Sequence, residues 1–93
     1  MKPDVRSSLY WEDLHNYKST TSLDEMTIEV SLESTRDGNK PVAFRWWVSC
    51  EKLHTYKLLK AKSMKTAKKE ALAVCTGVAA RIFLKFRDAL EMQ

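Results

Sequence analysis

The sharpest hydrophobic pattern lies in residues 26–34, where Met26, Ile28, Val30 and Leu32 alternate with Thr27, Glu29, Ser31 and Glu33. Period two over nine residues predicts a strand with one buried face. Asp37-Gly38 follows, a dipeptide suited to a tight hairpin turn. Val42–Cys50, rich in aromatic and β-branched residues, predicts the return strand. Phe44, Trp46, Val48 and Cys50 share its core face; Arg45, Trp47 and Ser49 take the other. Glu51-Lys52 predicts a second turn, and Leu53–Lys60 a third strand. Before this sheet, Leu9, Trp11, Leu14 and Tyr17 fall at steps of two and three that fit a helical stripe, capped by Ser7 or Ser8 and ending near Lys18. After it, Ser63 opens a long helix in which Ala67, Ala71, Val74, Cys75, Val78 and Ile82 recur at steps of three and four. Gly77 within that helix suggests a close approach to the sheet. Phe83, Leu84 and Phe86 carry the apolar surface round to most sides, either to wrap the core or to meet a partner. The predicted order is α-β-β-β-α, an α+β fold with two helices on one face of a three-stranded antiparallel sheet. The domain spans residues 8–86, between a flexible N-terminus (1–7) and a C-terminal tail or helix end (87–93).

Ninety-three residues, 44% apolar and 30% charged, make one globular domain. The net charge of +4 conceals an asymmetry. Seven of the twelve acids lie in residues 1–34, whereas residues 57–69 hold six lysines and no acid. Two cysteines without a close-spaced pair predict free thiols in a reducing cytosol, not a disulfide framework. No apolar stretch has the length of a secretory signal core or a membrane span, so the expected location is the cytoplasm. Cys50 and His54 stand four apart but lack the further ligands a zinc site needs. No Gly-rich phosphate loop or nucleophile motif is present. The expectation is a non-enzymatic domain without metal or cofactor.

The start of the last helix carries the chemistry. Lys65, Lys68 and Lys69 share one side of its first two turns. The helix N-terminus already bears about half a positive charge, so stability alone would prefer acids there. Lysines at free helix amides instead make a phosphate site, which Lys57, Lys60 and Lys62 would widen. On the sheet, Trp47 with Arg45 beside it is expected on the open face, a composition suited to a protein interface.

The run Ser63-Met-Lys-Thr-Ala-Lys-Lys-Glu-Ala71 resembles the C-terminal motif of double-stranded RNA-binding domains, commonly Ser-Lys-Lys-x-Ala-Lys-x-x-Ala. Leu14-His-Asn-Tyr17 is similar to the Leu-x-x-Tyr of that family's first helix, and Phe44-Arg-Trp-Trp-Val48 to its second strand. The resemblance implies the α-β-β-β-α fold and a partner in double-stranded RNA, or duplex DNA. Lys65 and Lys68 would sit on phosphates, Lys69 beside them, with a first-helix contact from Glu12, Asn16 or a neighbour. Met64 stands where the family has a further lysine, and Asp37-Gly-Asn-Lys-Pro41 replaces a loop that normally carries histidine. Many domains with such losses bind proteins. The alternative is therefore a protein partner or a homodimer, in a small viral or accessory regulatory factor, engaged through Trp47 or the basic helix start.

Overall fold

The computed structural model describes residues 9–38 and 40–93. Five antiparallel strands in sequence order form one meander sheet: β1 (Trp11–His15), β2 (Lys18–Leu23), β3 (Met26–Asp37), β4 (Lys40–Cys50) and β5 (Thr55–Leu58). A single helix, α1 (Met64–Glu91), lies across one face. This corrects the predicted three-stranded, two-helix fold. Residues read as a first helix form β1, a turn at Asn16-Tyr17 and the start of β2. Ser7 and Ser8, read as its cap, and the N-terminus 1–7 lie outside the described residues.

The first hairpin is a strand pair because its inward positions bond to backbone. Ser19 and Thr21 point toward α1 and are buried. The Thr21 hydroxyl donates to the Tyr10 carbonyl at 2.6 Å, and Ser19 Oγ to the Glu12 carbonyl at 3.1 Å and to Asp13 at 2.6 Å. Apart from Trp11, which packs against the core, the inner face of this hairpin is hydroxyls and a carboxylate, so it lacks the apolar alternation by which strands are read. Leu14 and Tyr17, assigned to the helical stripe, are exposed.

The turns place special backbone where the sequence allows it. Asp24 opens the two-residue β2–β3 turn at φ 56, Gly38 turns β3 into β4 at φ 66, and His54 ends a 3-10 turn, Glu51–Leu53, at φ 50. Aspartate and histidine tolerate this region better than most residues.

The core sits between the sheet and the first three turns of α1. Ile28, Val30, Trp46, Val48, Cys50 and Leu59 meet Ala67, Ala71 and Cys75 from the helix. The spacing of four keeps three small side chains on one line, so the helix backbone can approach the strands closely. Gly77 takes no part in this: a Cβ there would meet only the end of Arg81, at 3.9 Å. Burial first, and then the neighbouring Cys50 thiol, push the Cys75 thiol up to about 11. Among the described residues no helix is long and apolar enough to cross a membrane.

Two parts reach beyond this core. The last lateral ties are Leu32 N–H to the Tyr17 carbonyl and Leu59 N–H to the Trp46 carbonyl, both 2.8 Å. Past them β3 and β4 pair only with each other, as a two-stranded arm. Phe44, expected in the core, sits on this arm and is 70% exposed. At the other extreme, every α1 residue from Ala79 onward is exposed.

Candidate functional site

The basic segment is anchored by side chains other than its lysines. Ser63, in extended conformation, caps α1 by accepting from the Thr66 amide at 3.3 Å, and Thr66 Oγ1 donates back to the Ser63 carbonyl. Glu70, the first acid after the lysine run, accepts from the backbone amides of Lys60 and Ala61 at 2.9–3.0 Å. Arg45 Nη2 donates to the Leu59 carbonyl at 3.4 Å. The nearest carboxylate is thus occupied by main chain, and the ammonium groups of Lys60, Lys62, Lys65 and Lys69 stay exposed. Among the described residues none of these four is held in an ion pair.

Two concavities flank this segment. A cleft of about 700 Å³ opens between the β3–β4 arm and the link from β5 to α1, walled by Phe44, Trp46 and Leu32 and edged by Arg45, Lys60 and Lys62. Among the described residues its lining has aromatic faces and cations and no carboxylate. A shallower hollow of about 330 Å³ lies across the helix start, between Trp11 and Lys65, Lys68 and Lys69.

Lys68 differs from its neighbours. Its Nζ is 2.9 Å from Asp13 Oδ1 and 5.7 Å from the centre of the Trp11 ring. It ties α1 to β1 and is half-buried in doing so, which leaves it poorly placed for an external phosphate. The Ser19 hydroxyl first, and Lys68 second, hold the Asp13 carboxyl below its usual range. A lowered carboxyl supports the fold above its unfolded pKa, and the support fades as pH falls through the folded value. Asp13→Asn should therefore lower the melting temperature at neutral pH, with the gap to wild type closing below the ordinary carboxylate range. A gap unchanged across that titration would remove the ion pair from the account.

The first-helix contacts implied by the family resemblance do not exist as such. Glu12 is on edge strand β1 and Asn16 in the turn after it, both exposed. Arg45 lies beside the cleft rather than framing an open tryptophan. Trp47 does occupy the sheet face away from α1, but half-buried, stacked on Tyr56 with ring centres 5.0 Å apart. Glu33 joins the group, accepting from Tyr56 Oη at 3.1 Å and from Ser31 Oγ at 2.8 Å. Burial first, and Glu33 second, raise the Tyr56 hydroxyl above its ordinary value. Sequence reasoning missed Phe44 and Glu70. The signal for Phe44 was available in the hairpin's length: its turn lies well beyond the reach of the neighbouring strands.

Comparison with family models, with curated proteins and with solved structures finds no match to this chain.

Proposed function

We propose that this chain is a non-enzymatic nucleic-acid-binding module that holds phosphates with Lys60, Lys62, Lys65 and Lys69. What carries the reading is the arrangement just described: four exposed, unpaired ammonium groups around a capped helix start whose nearest acid is turned to the main chain. Backbone amides at the helix start add to the anion site. The adjacent cleft favours a strand with unpaired bases over a closed duplex. Phe44 offers an exposed ring for stacking, and cations edge the cleft where a backbone would run, the combination that single-strand binders use. Among the described residues no helix precedes β1, so the first-helix contact of A-form recognition has no counterpart there.

Fluorescence anisotropy with a single strand, an RNA duplex and a DNA duplex of one sequence tests this. Four single-strand phosphate contacts give log K against log salt a slope of about −2.8. Phe44→Ala should weaken single-strand binding by roughly 5- to 150-fold, the range of one lost base stack, and leave duplex binding unmoved. Tighter binding to the RNA duplex would return the reading to A-form recognition. No binding to any probe at low salt would reject nucleic acid altogether.

A further inference from the structure

Among the described residues the sheet ends on β5, whose outer edge is unpaired. The Leu59 N–H donates to the Trp46 carbonyl of β4. In an antiparallel pair, successive residues turn their main-chain groups to opposite sides. Thr55, Lys57 and Leu59 therefore bond toward β4, and Tyr56 and Leu58 direct both N–H and C=O outward. An open edge of this kind is a template for one further strand. Its side chains alternate as well. Thr55 and Lys57 stand opposite Cys50 and Val48, on the helix side of the sheet; Tyr56 and Leu58 stand opposite Ser49 and Trp47, on the other.

The helix side of this edge is basic. From β1, where Lys68 meets Asp13, α1 crosses the sheet to β5, where its turns over residues 73–81 wall a hollow of about 500 Å³ with residues 53–57. Gly77 leaves that wall open: a Cβ there would meet only the end of Arg81, at 3.9 Å. Steps of four carry the same helix face from Gly77 through Arg81 to Lys85. Among the described residues Lys57, Arg81 and Lys85 have no ion-pair partner, and the hollow is lined by no carboxylate. Asp88, further along that face, lies 3.8 Å from its own Arg87.

We infer that β5 takes up an extended segment of a partner protein as a sixth strand, and that this segment alternates acidic with apolar residues. Its acidic side chains enter the hollow toward Lys57 and Arg81. Its apolar ones lie beside Tyr56 and Leu58, which are 60% and 37% exposed. A peptide fits the edge better than a nucleic acid does. Tyr56 and Leu58 present carbonyls as well as amides; a peptide backbone both donates and accepts, whereas a phosphodiester only accepts. A second copy of this chain fits less well. Pairing β5 with β5 would bring Lys57 and Arg81 against their own like. The opposite edge, β1, has its Asp13 already bonded to Ser19 and Lys68.

Titrating the isotope-labelled full chain with an eight-residue peptide of alternating glutamate and valine tests this by amide exchange. At saturation the Tyr56 and Leu58 amides should exchange at least about tenfold more slowly, while Thr55 and Lys57, already bonded to β4, stay unchanged. Leu58→Pro removes an outward N–H that the sheet does not use, so it should abolish binding with circular dichroism unaltered. Lys57→Glu with Arg81→Glu leaves the main chain intact. It should weaken the glutamate–valine peptide by about thirtyfold and create binding to a lysine–valine peptide. No binding at millimolar peptide, equal binding of a peptide with the same residues in two blocks, or an unchanged preference in the double variant would each overturn the inference. Displacement of the peptide by a single-stranded oligonucleotide would overturn it too, by moving the peptide to the helix-start lysines. So would protection of Tyr56 and Leu58 that grows with the concentration of the chain alone, which would make the occupant a second copy.

Discussion

Replacing Lys60, Lys62, Lys65 and Lys69 together with glutamine is expected to abolish binding to single-stranded nucleic acid while leaving the fold as stable as before, or slightly more so. The substitution takes the formal net charge from +4 to zero. Each lost phosphate contact removes part of the counterion release, so the variant should lose nearly all of the roughly −2.8 salt slope and at least about a hundredfold in affinity at low salt. The stability side has the opposite sign. Exposed substitutions away from packing contacts change stability by about 0.5 kcal/mol or less. Lys65, in the first turn of α1, opposes the helix dipole, and neutralising it should return a few tenths of a kcal/mol. A chain that improves its fold by losing these lysines keeps them for something else. Anisotropy and urea denaturation on the same preparation measure both halves. Binding retained with a flat salt dependence would move the site away from the helix start.

The second large effect separates two adjacent tryptophans. Trp46 is 5% exposed, wedged between the sheet core and the base of the arm, whereas Trp47 lies half-buried on the opposite face. Trp46→Ala should cost about 3–5 kcal/mol, the range for a large aromatic removed from a packed core. A domain of this size has about 5–14 kcal/mol in total, so much of its stability would go. Trp47→Ala should cost distinctly less, about 1–2 kcal/mol. It loses one ring stack and partial burial, and it also removes a buried indole N–H that has no hydrogen-bond partner among the described residues. Because a strand slipped by one residue exchanges its faces, the comparison tests the β3–β4 register as well as the packing. Equal costs, or the reverse order, would contradict the pairing of Leu32 with Trp46.

These residues also show which parts of the fold the sequence made legible. The alternation Met26–Leu32 and the Ser63 cap each rest on a local rule and lie where those rules predict, while the turn read at Asp37-Gly38 starts one residue later, at Gly38, with Asp37 still paired to Lys40. The first hairpin did not show itself. Its inward positions, Asp13, Ser19 and Thr21, are satisfied by hydrogen bonds to neighbouring strands, information that exists only once the strands are paired. Leu9, the inward Trp11 and the exposed Leu14 and Tyr17 then fell by chance near a helical spacing. Phe44 failed for a different reason. Its alternation is correct and it lies on the helix side of the sheet, but among the described residues nothing covers that stretch of the arm. Alternation tells which face a residue takes, not whether anything lies over it. At the candidate site, the lysine cluster was legible as charge. The division of labour within it was not: Lys68 is paired because Asp13 comes to it from 55 residues away.

The two thiols between sheet and helix carry a last consequence. Cys50 and Cys75 are sealed under the docked stretch of α1, and Cys75 is held so far toward its protonated form that it is a poor nucleophile at neutral pH. An alkylating reagent can reach them only during the moments when the helix lifts from the strands. Their modification rate is therefore a built-in clock for helix undocking, readable without any engineered probe. Once one thiol has been capped, the helix cannot settle back onto a groove sized for Ala67, Ala71 and a bare sulfur. Each opening caught by an alkylating reagent is recorded permanently, so the modified fraction counts the undockings of the helix.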